Sequence, residues 1–139
     1  MAKKAKALTT LALAHKTAGI LFEKKCEDAV LLDLRGLSSV ADYYLICTCQ
    51  NEAQMHAVLN HTQRTLSREG IKSLRSEYYS GVRWAVLDYG DLIVHLFEKD
   101  TRNYYSLERL WADAKSVRLK PEEHVAVREK HAEDQDEDL

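Results

Sequence analysis

The chain has 139 residues and a mass of 15.9 kDa, enough for one domain with one sizeable core. An apolar content of 45% excludes global disorder, and one Pro and five Gly exclude collagen-like and Pro-rich linker proteins. With 20 Lys and Arg against 22 Asp and Glu the net charge is −2, so the chain as a whole is not a basic nucleic-acid binder.

Residues 1–8 read as a flexible N-terminus. Apolar residues at spacings of three and four (Leu11, Ala14, Ala18, Leu21, Phe22) then predict an amphipathic helix over Thr9–Lys25, with Thr9 or Thr10 as N-cap. The short apolar run Ala29–Leu34 suits a strand buried on both faces, and Arg35–Ser39 is a loop. Asp42–Cys49, rich in aromatic and β-branched residues, predicts a second strand. Asn51 caps a long helix running to about Glu69, with Met55, Val58, Leu59, Thr62 and Leu66 as its inner stripe and Gly70 at the C-terminal glycine position.

Ile71–Glu77 predicts a third strand, followed by a Ser80–Gly81 turn. Val82–Asp88 and Asp91–Phe97 predict a hairpin with Tyr89–Gly90 as its two-residue turn. Asp100 or Thr101 starts a last helix with Tyr104, Leu107, Leu110 and Trp111 inside. The order α-β-β-α-β-β-β-α predicts an α/β fold with one mixed five-stranded sheet and flanking helices, a single domain over residues 9–120.

Residues 121–139 carry eight acidic and two basic side chains, a net −6, which leaves eighteen basic and fourteen acidic on residues 1–120, a net +4. The acidic segment is read as a disordered, solvated tail. Three cysteines, none in a C-x-x-C, read as free thiols in a reducing compartment, hence the cytoplasm. No apolar run is long enough for a membrane span, and no secretory signal is expected.

Catalytic signals are weak. Asp33, Asp42, Asp88 and Asp91 lie in or beside strands, yet the folded part has no D-x-D to hold two metals from one strand. The single glycine of Gly36-Leu37-Ser38-Ser39 has no G-K-[ST] after it. His56 and His61 are five apart and do not share a helix face, and Cys47-x-Cys49 has no second pair to complete a zinc site. No metal and no cofactor is expected. His95 is read as half-buried packing. A surface signal remains at residues 77–91, where Trp84, Val86 and Asp88 share a strand face and Tyr89 and Gly90 sit at a hairpin tip. Trp, Tyr and Arg dominate binding hot spots, but a Trp on a strand also packs under a helix, the reading composition alone favours, and both stand.

Three ordered blocks carry a resemblance: Asp33–Cys47 (DLRGLSSVADYYLIC), Trp84–Phe97 (WAVLDYGDLIVHLF) and Arg102–Ala114 (RNYYSLERLWADA). Over roughly residues 10–113 the chain resembles the ribosomal silencing factor, or iojap-like, family. The resemblance implies a nucleotidyltransferase-like core without the catalytic carboxylate pair, and no enzymatic activity. It implies binding to the large ribosomal subunit through the ribosomal protein numbered fourteen in the uL series, at the face where the small subunit joins. Translation is then repressed, chiefly under nutrient limitation. The family's contact residues fall on Trp84, Asp88, Tyr89 and Asp91, with Tyr43 and Glu77 beside them. The family's S-D-R-H-V helix start is replaced by Asn51–Met55, so contacts by that Arg and His do not carry over. The glycine usual after Glu77 is also missing. The alternatives are a nucleotidyltransferase-like enzyme and an RNA-binding module; no membrane or sequence-specific nucleic-acid partner is expected, and exposed aromatic strand surface leaves a homodimer open.

Overall fold

The computed structural model describes residues 8–122. In chain order the elements are α1 (Thr10–Glu23), β1 (Glu27–Asp33), β2 (Tyr43–Cys49), α2 (Glu52–Arg68), β3 (Arg75–Tyr79), β4 (Trp84–Asp88), β5 (Leu92–Glu98), α3 (Lys99–Tyr105), α4 (Leu107–Leu110) and β6 (Lys115–Arg118). The N-terminal and acidic-tail expectations for residues 1–7 and 123–139 lie outside the described residues.

The strands form one mixed sheet in the order β3-β4-β5-β2-β1-β6. The central pair β2 and β5 is parallel and the other neighbours are antiparallel. Both central strands are buried almost throughout, as strands covered on both faces are. The sheet has six strands where five are expected. The sixth, Lys115–Arg118, is exposed along its whole length and pairs with β1 from Asp33 to Val30. A short, charged edge strand carries no inward alternation to announce it, and its charges blunt the open edge.

α1 and α2 cover one face, packing on Leu31, Leu45, Cys47, Leu87 and Val94. The buried side of α2 is the predicted stripe, and its Asn51 cap accepts from the Gln54 amide at 2.8 Å. Thr9 caps α1 by accepting from the Ala12 amide at 3.0 Å. Leu11 does not belong to the buried side, however, being 44% exposed. The predicted third strand starts four residues later and ends two later, at Arg75–Tyr79, because residues 71–74 are spent on leaving α2. The β4–β5 turn shifts as well. Tyr89 donates its amide to the Leu92 carbonyl at 2.8 Å, so the turn pair is Gly90–Asp91, with Gly90 at a φ of 90° in the first central position.

The opposite face is only half covered. The predicted last helix breaks at Ser106, which has a φ of 49°, into α3 and α4. Leu107 is buried against Val30, Leu32, Leu34, Ile46 and Phe97, while Tyr104 and Leu110 are exposed to 81% and 72% instead of facing inward. Arg102 fastens this layer. Its Nη1 donates to the Asp28 carbonyl at 2.6 Å and to Thr48 Oγ1 at 2.8 Å, and its Nη2 donates to Glu108 Oε2 at 2.7 Å. Asp28, with a φ of 53°, lies in the β1 irregularity between Glu27 and Val30 that presents this carbonyl. Arg102→Ala is expected to cost about 3 kcal/mol, because it leaves buried acceptors unpaired. Urea melts should show that loss, and Arg102→Lys should recover only part of it, since a single ammonium cannot reproduce the guanidinium fork.

Candidate partner-binding face

The uncovered half of the sheet is built by alternation. On β4, Ala85 and Leu87 point into the α1–α2 core, so Trp84, Val86 and Asp88 take the other face. Cross-strand register sets Glu77 beside Val86, and Val86 beside His95. A shallow groove of about 720 Å³ results, whose wall residues include Tyr44, Tyr79, Trp84, Ile93, His95 and Tyr105.

Trp84 sits at its centre and satisfies neither simple reading. Its ring lies 4.8 Å from Phe97, 5.0 Å from Tyr105 and 6.2 Å from Tyr79, centroid to centroid, yet it stays half-exposed. Its indole Nε1 donates to His95 Nδ1 at 3.1 Å. His95 is therefore the tautomer protonated at Nε2. It is buried rather than half-buried, and burial lowers its pKa to about 4.

The residues expected at the site divide. Trp84 and Glu77 line the groove, and Tyr79 donates its hydroxyl to the Glu77 carboxylate, which raises the Tyr79 pKa. Asp88 shares the face, but its Oδ1 accepts from the Gly90 amide at 2.8 Å and holds the turn closed. Asp91 is exposed at the turn, and its carbonyl accepts from the Asp42 and Tyr43 amides at 2.8 and 3.0 Å. Tyr89 does not project from the tip. It packs against the α1–α2 core, and burial pushes its pKa up to about 12. Tyr43 is 5% exposed, in the same core, with the Arg35 guanidinium 5.3 Å from its ring centroid. Tyr44, one residue on, lies on the groove side. The alternation that assigns Trp84 and Val86 to one face, carried across the parallel β2–β5 register, is the signal that finds Tyr44, Ile93 and His95.

The candidate catalytic groups are otherwise engaged. Asp33 binds Arg35 through two side-chain hydrogen bonds, at 2.9 and 2.7 Å, and the guanidinium lowers its pKa to about 2. His56 packs against Tyr78 with centroids 4.3 Å apart and the rings tilted by 59°, and His61 bonds Glu23 at 2.9 Å. Cys26, Cys47 and Cys49 are free thiols in the core. Contacts among the three sulfurs, with burial, raise the pKa of Cys26 and of Cys49, so both stay protonated. Among the described residues no group of three or more His, Cys, Asp or Glu is placed to hold a metal ion, and no helix is long and apolar enough to cross a membrane.

Fold and face together define an α/β protein whose most distinctive surface is a half-open aromatic face. The family model for the ribosomal silencing factor during starvation matches residues 7–139, reaching past Pro121 and so beyond the 10–113 stretch expected above. The ribosomal silencing factor of Halalkalibacterium halodurans is 42% identical over 97 residues, 70% of this chain and 83% of that one. The factor of Bacillus subtilis is 41% identical over 92 residues, 66% and 78% of the two chains. A crystal structure from Chromobacterium violaceum superposes with a TM-score of 0.71 at 26% identity, covering 82% of this chain and 98% of that one. The chain belongs to the ribosomal silencing factor family.

Burial of His95 makes stability depend on pH. Its folded pKa of about 4 lies below the ordinary 6.5, so between those values the unfolded chain binds the proton and the folded chain does not. Stability is full above the upper value and is lost as pH falls, by about 3 kcal/mol in all. Asp33 adds its own loss only below its ordinary 3.8, toward about 2. His95→Asn, which keeps an acceptor for Trp84, should flatten the upper window in melts taken between pH 7 and 4.

Proposed function

We propose that this protein binds the large ribosomal subunit through the Trp84 face, docking on the ribosomal protein numbered fourteen in the uL series. The bound domain then blocks the small subunit sterically and represses translation when nutrients are limited. The reading assigns it no enzymatic activity and places it in the cytoplasm, where three free thiols stay reduced. The observation that carries the reading is the half-open aromatic face in a member of this family. Trp84 is held ready there by His95, flanked by half-exposed Tyr79, with Glu77 beside it and the exposed acid Asp91 at the turn. Trp84, Glu77, Asp88 and Asp91 form the proposed contact set, and Tyr89 and Tyr43 support the turn from the core side.

Blocking a second body needs placement and affinity but no bond chemistry. An interface of ~800 Å² per partner is enough for specific binding. The acidic turn suits a basic ribosomal-protein surface, mainly through association rate and specificity.

Sucrose gradients of purified subunits test the reading. Added in excess at moderate Mg²⁺, the protein should shrink the joined-ribosome peak and co-migrate with large subunits alone; equal binding to both subunits rejects the reading. Tyr79→Ala should fold within about 1 kcal/mol of wild type, because the side chain is half-exposed. Trp84→Ala removes packing as well and should cost more. Each variant should weaken large-subunit binding, and Trp84→Ala should do so by roughly thirty-fold or more. Wild-type affinity in folded protein of both variants would move the site elsewhere.

A further inference from the structure

A second surface lies on the outer side of α2, at its C-terminal end. Arg64 and Arg68 stand one turn apart there, and Lys72 follows Gly70, whose φ of 84° turns the chain back. With Asn60, Gln63, Ser67 and Ser73 they line a groove of about 580 Å³. Gln63 Nε2 donates to Ser73 Oγ at 3.2 Å and ties the helix wall to the loop wall. No acidic side chain lines the groove, and the neighbouring carboxylate, Glu69, is bonded to Lys16 at 2.7 Å. Arg35, Arg75, Arg83, Arg102 and Arg118 each have a carboxylate partner, whereas Arg64, Arg68 and Lys72 have no ion-pair partner among the described residues.

Unneutralised cations interleaved with amide and hydroxyl donors, and no carboxylate, are the chemistry of phosphate contact. A basic groove without apolar anchors fits a polyanion better than a folded protein surface. We propose that this groove holds the phosphodiester backbone of RNA on the large subunit, without reading base sequence. The proposal deepens the docking reading above and rests on it for the source of the RNA. The loop supports simultaneous contact. Ser73 lines this groove and Arg75, two residues on, lines the aromatic one, so one docked body can reach both around the β3 edge.

Arg68 also complements the C-terminal dipole of α2, so the test uses Arg64 and Lys72. The full chain, an Arg64→Gln/Lys72→Gln variant and a charge-matched Lys24→Gln/Lys25→Gln control in the α1–β1 turn, where the Lys24 carbonyl accepts from Gln54 Nε2 at the start of α2, are titrated against large ribosomal subunits over a range of salt. A fluorescent short RNA duplex at low salt is the second probe. The Arg64/Lys72 variant should lose roughly ten-fold in subunit affinity, and its log affinity should fall less steeply with log salt, by about one unit of slope for each contact removed. The control should match wild type. Wild-type affinity and slope in the Arg64/Lys72 variant, or an equal loss in the control, overturns the proposal. Failure of wild type to bind subunits at all overturns the docking reading instead. The duplex then decides for the groove: salt-sensitive binding lost only in the Arg64/Lys72 variant upholds phosphate recognition, and its absence overturns it.

Discussion

A buried guanidinium sets the shape of this molecule. Arg102 is 8% exposed, and a charge so far from water persists only with its donors satisfied. Its partners are a main-chain carbonyl in the β1 irregularity, a hydroxyl on β2 and a carboxylate on α4, so one side chain joins residues 28, 48 and 108. That junction pins the α3–α4 layer over the β1–β2 side of the sheet. Leu107 can then close over Val30, Leu32 and Ile46, while toward the β3–β4 side the layer supplies Tyr105 to the groove wall and the Thr101 hydroxyl, which donates to the Val82 carbonyl at 2.6 Å. The aromatic face is open because the covering layer is anchored elsewhere.

The elements most legible in the sequence are those whose burial has a period. The inner stripe of α2 emerges complete from spacing alone, β1 is recognisable as an apolar run, and β2 by its aromatic and β-branched residues. What periodicity misses is decided by backbone conformation or by tertiary pairing. Ser106 adopts a left-handed φ that ordinary residues rarely take, so a continuous helix is the natural reading of residues 100–111. β6 exists by virtue of its partner β1, since its own side chains are all exposed. At the site, Trp84 is legible as a candidate, but its environment is not. The His95 bond joins residues eleven apart on neighbouring strands, and the choice between Tyr43 and Tyr44 turns on a register one residue wide.

An open aromatic face is a liability unless its surroundings restrain it. Arg83 pairs with Glu98 beside Trp84, Arg75 lies near Asp88, and Glu77 takes the Tyr79 hydroxyl. The aromatic surface is thus ringed by charges, and the edge strand β3 itself carries Arg75 and Glu77. Such an arrangement discourages edge-to-edge association while leaving the rings accessible.

The two acids of the turn show how one short segment divides its labour. Asp88 and Asp91 bracket Gly90 and look equivalent in sequence. Asp88 spends an oxygen on the Gly90 amide and lies near Arg75, so its carboxylate shapes the turn. Asp91 contributes its carbonyl to the amides of Asp42 and Tyr43, while its residue stays exposed with no ion-pair partner among the described residues. Main-chain bonds therefore fix where the Asp91 charge stands, and the charge itself faces solvent. Trp84 follows the same logic. A neutral, buried imidazole fixes the orientation of the indole, so its rotamer entropy is already spent in the folded chain.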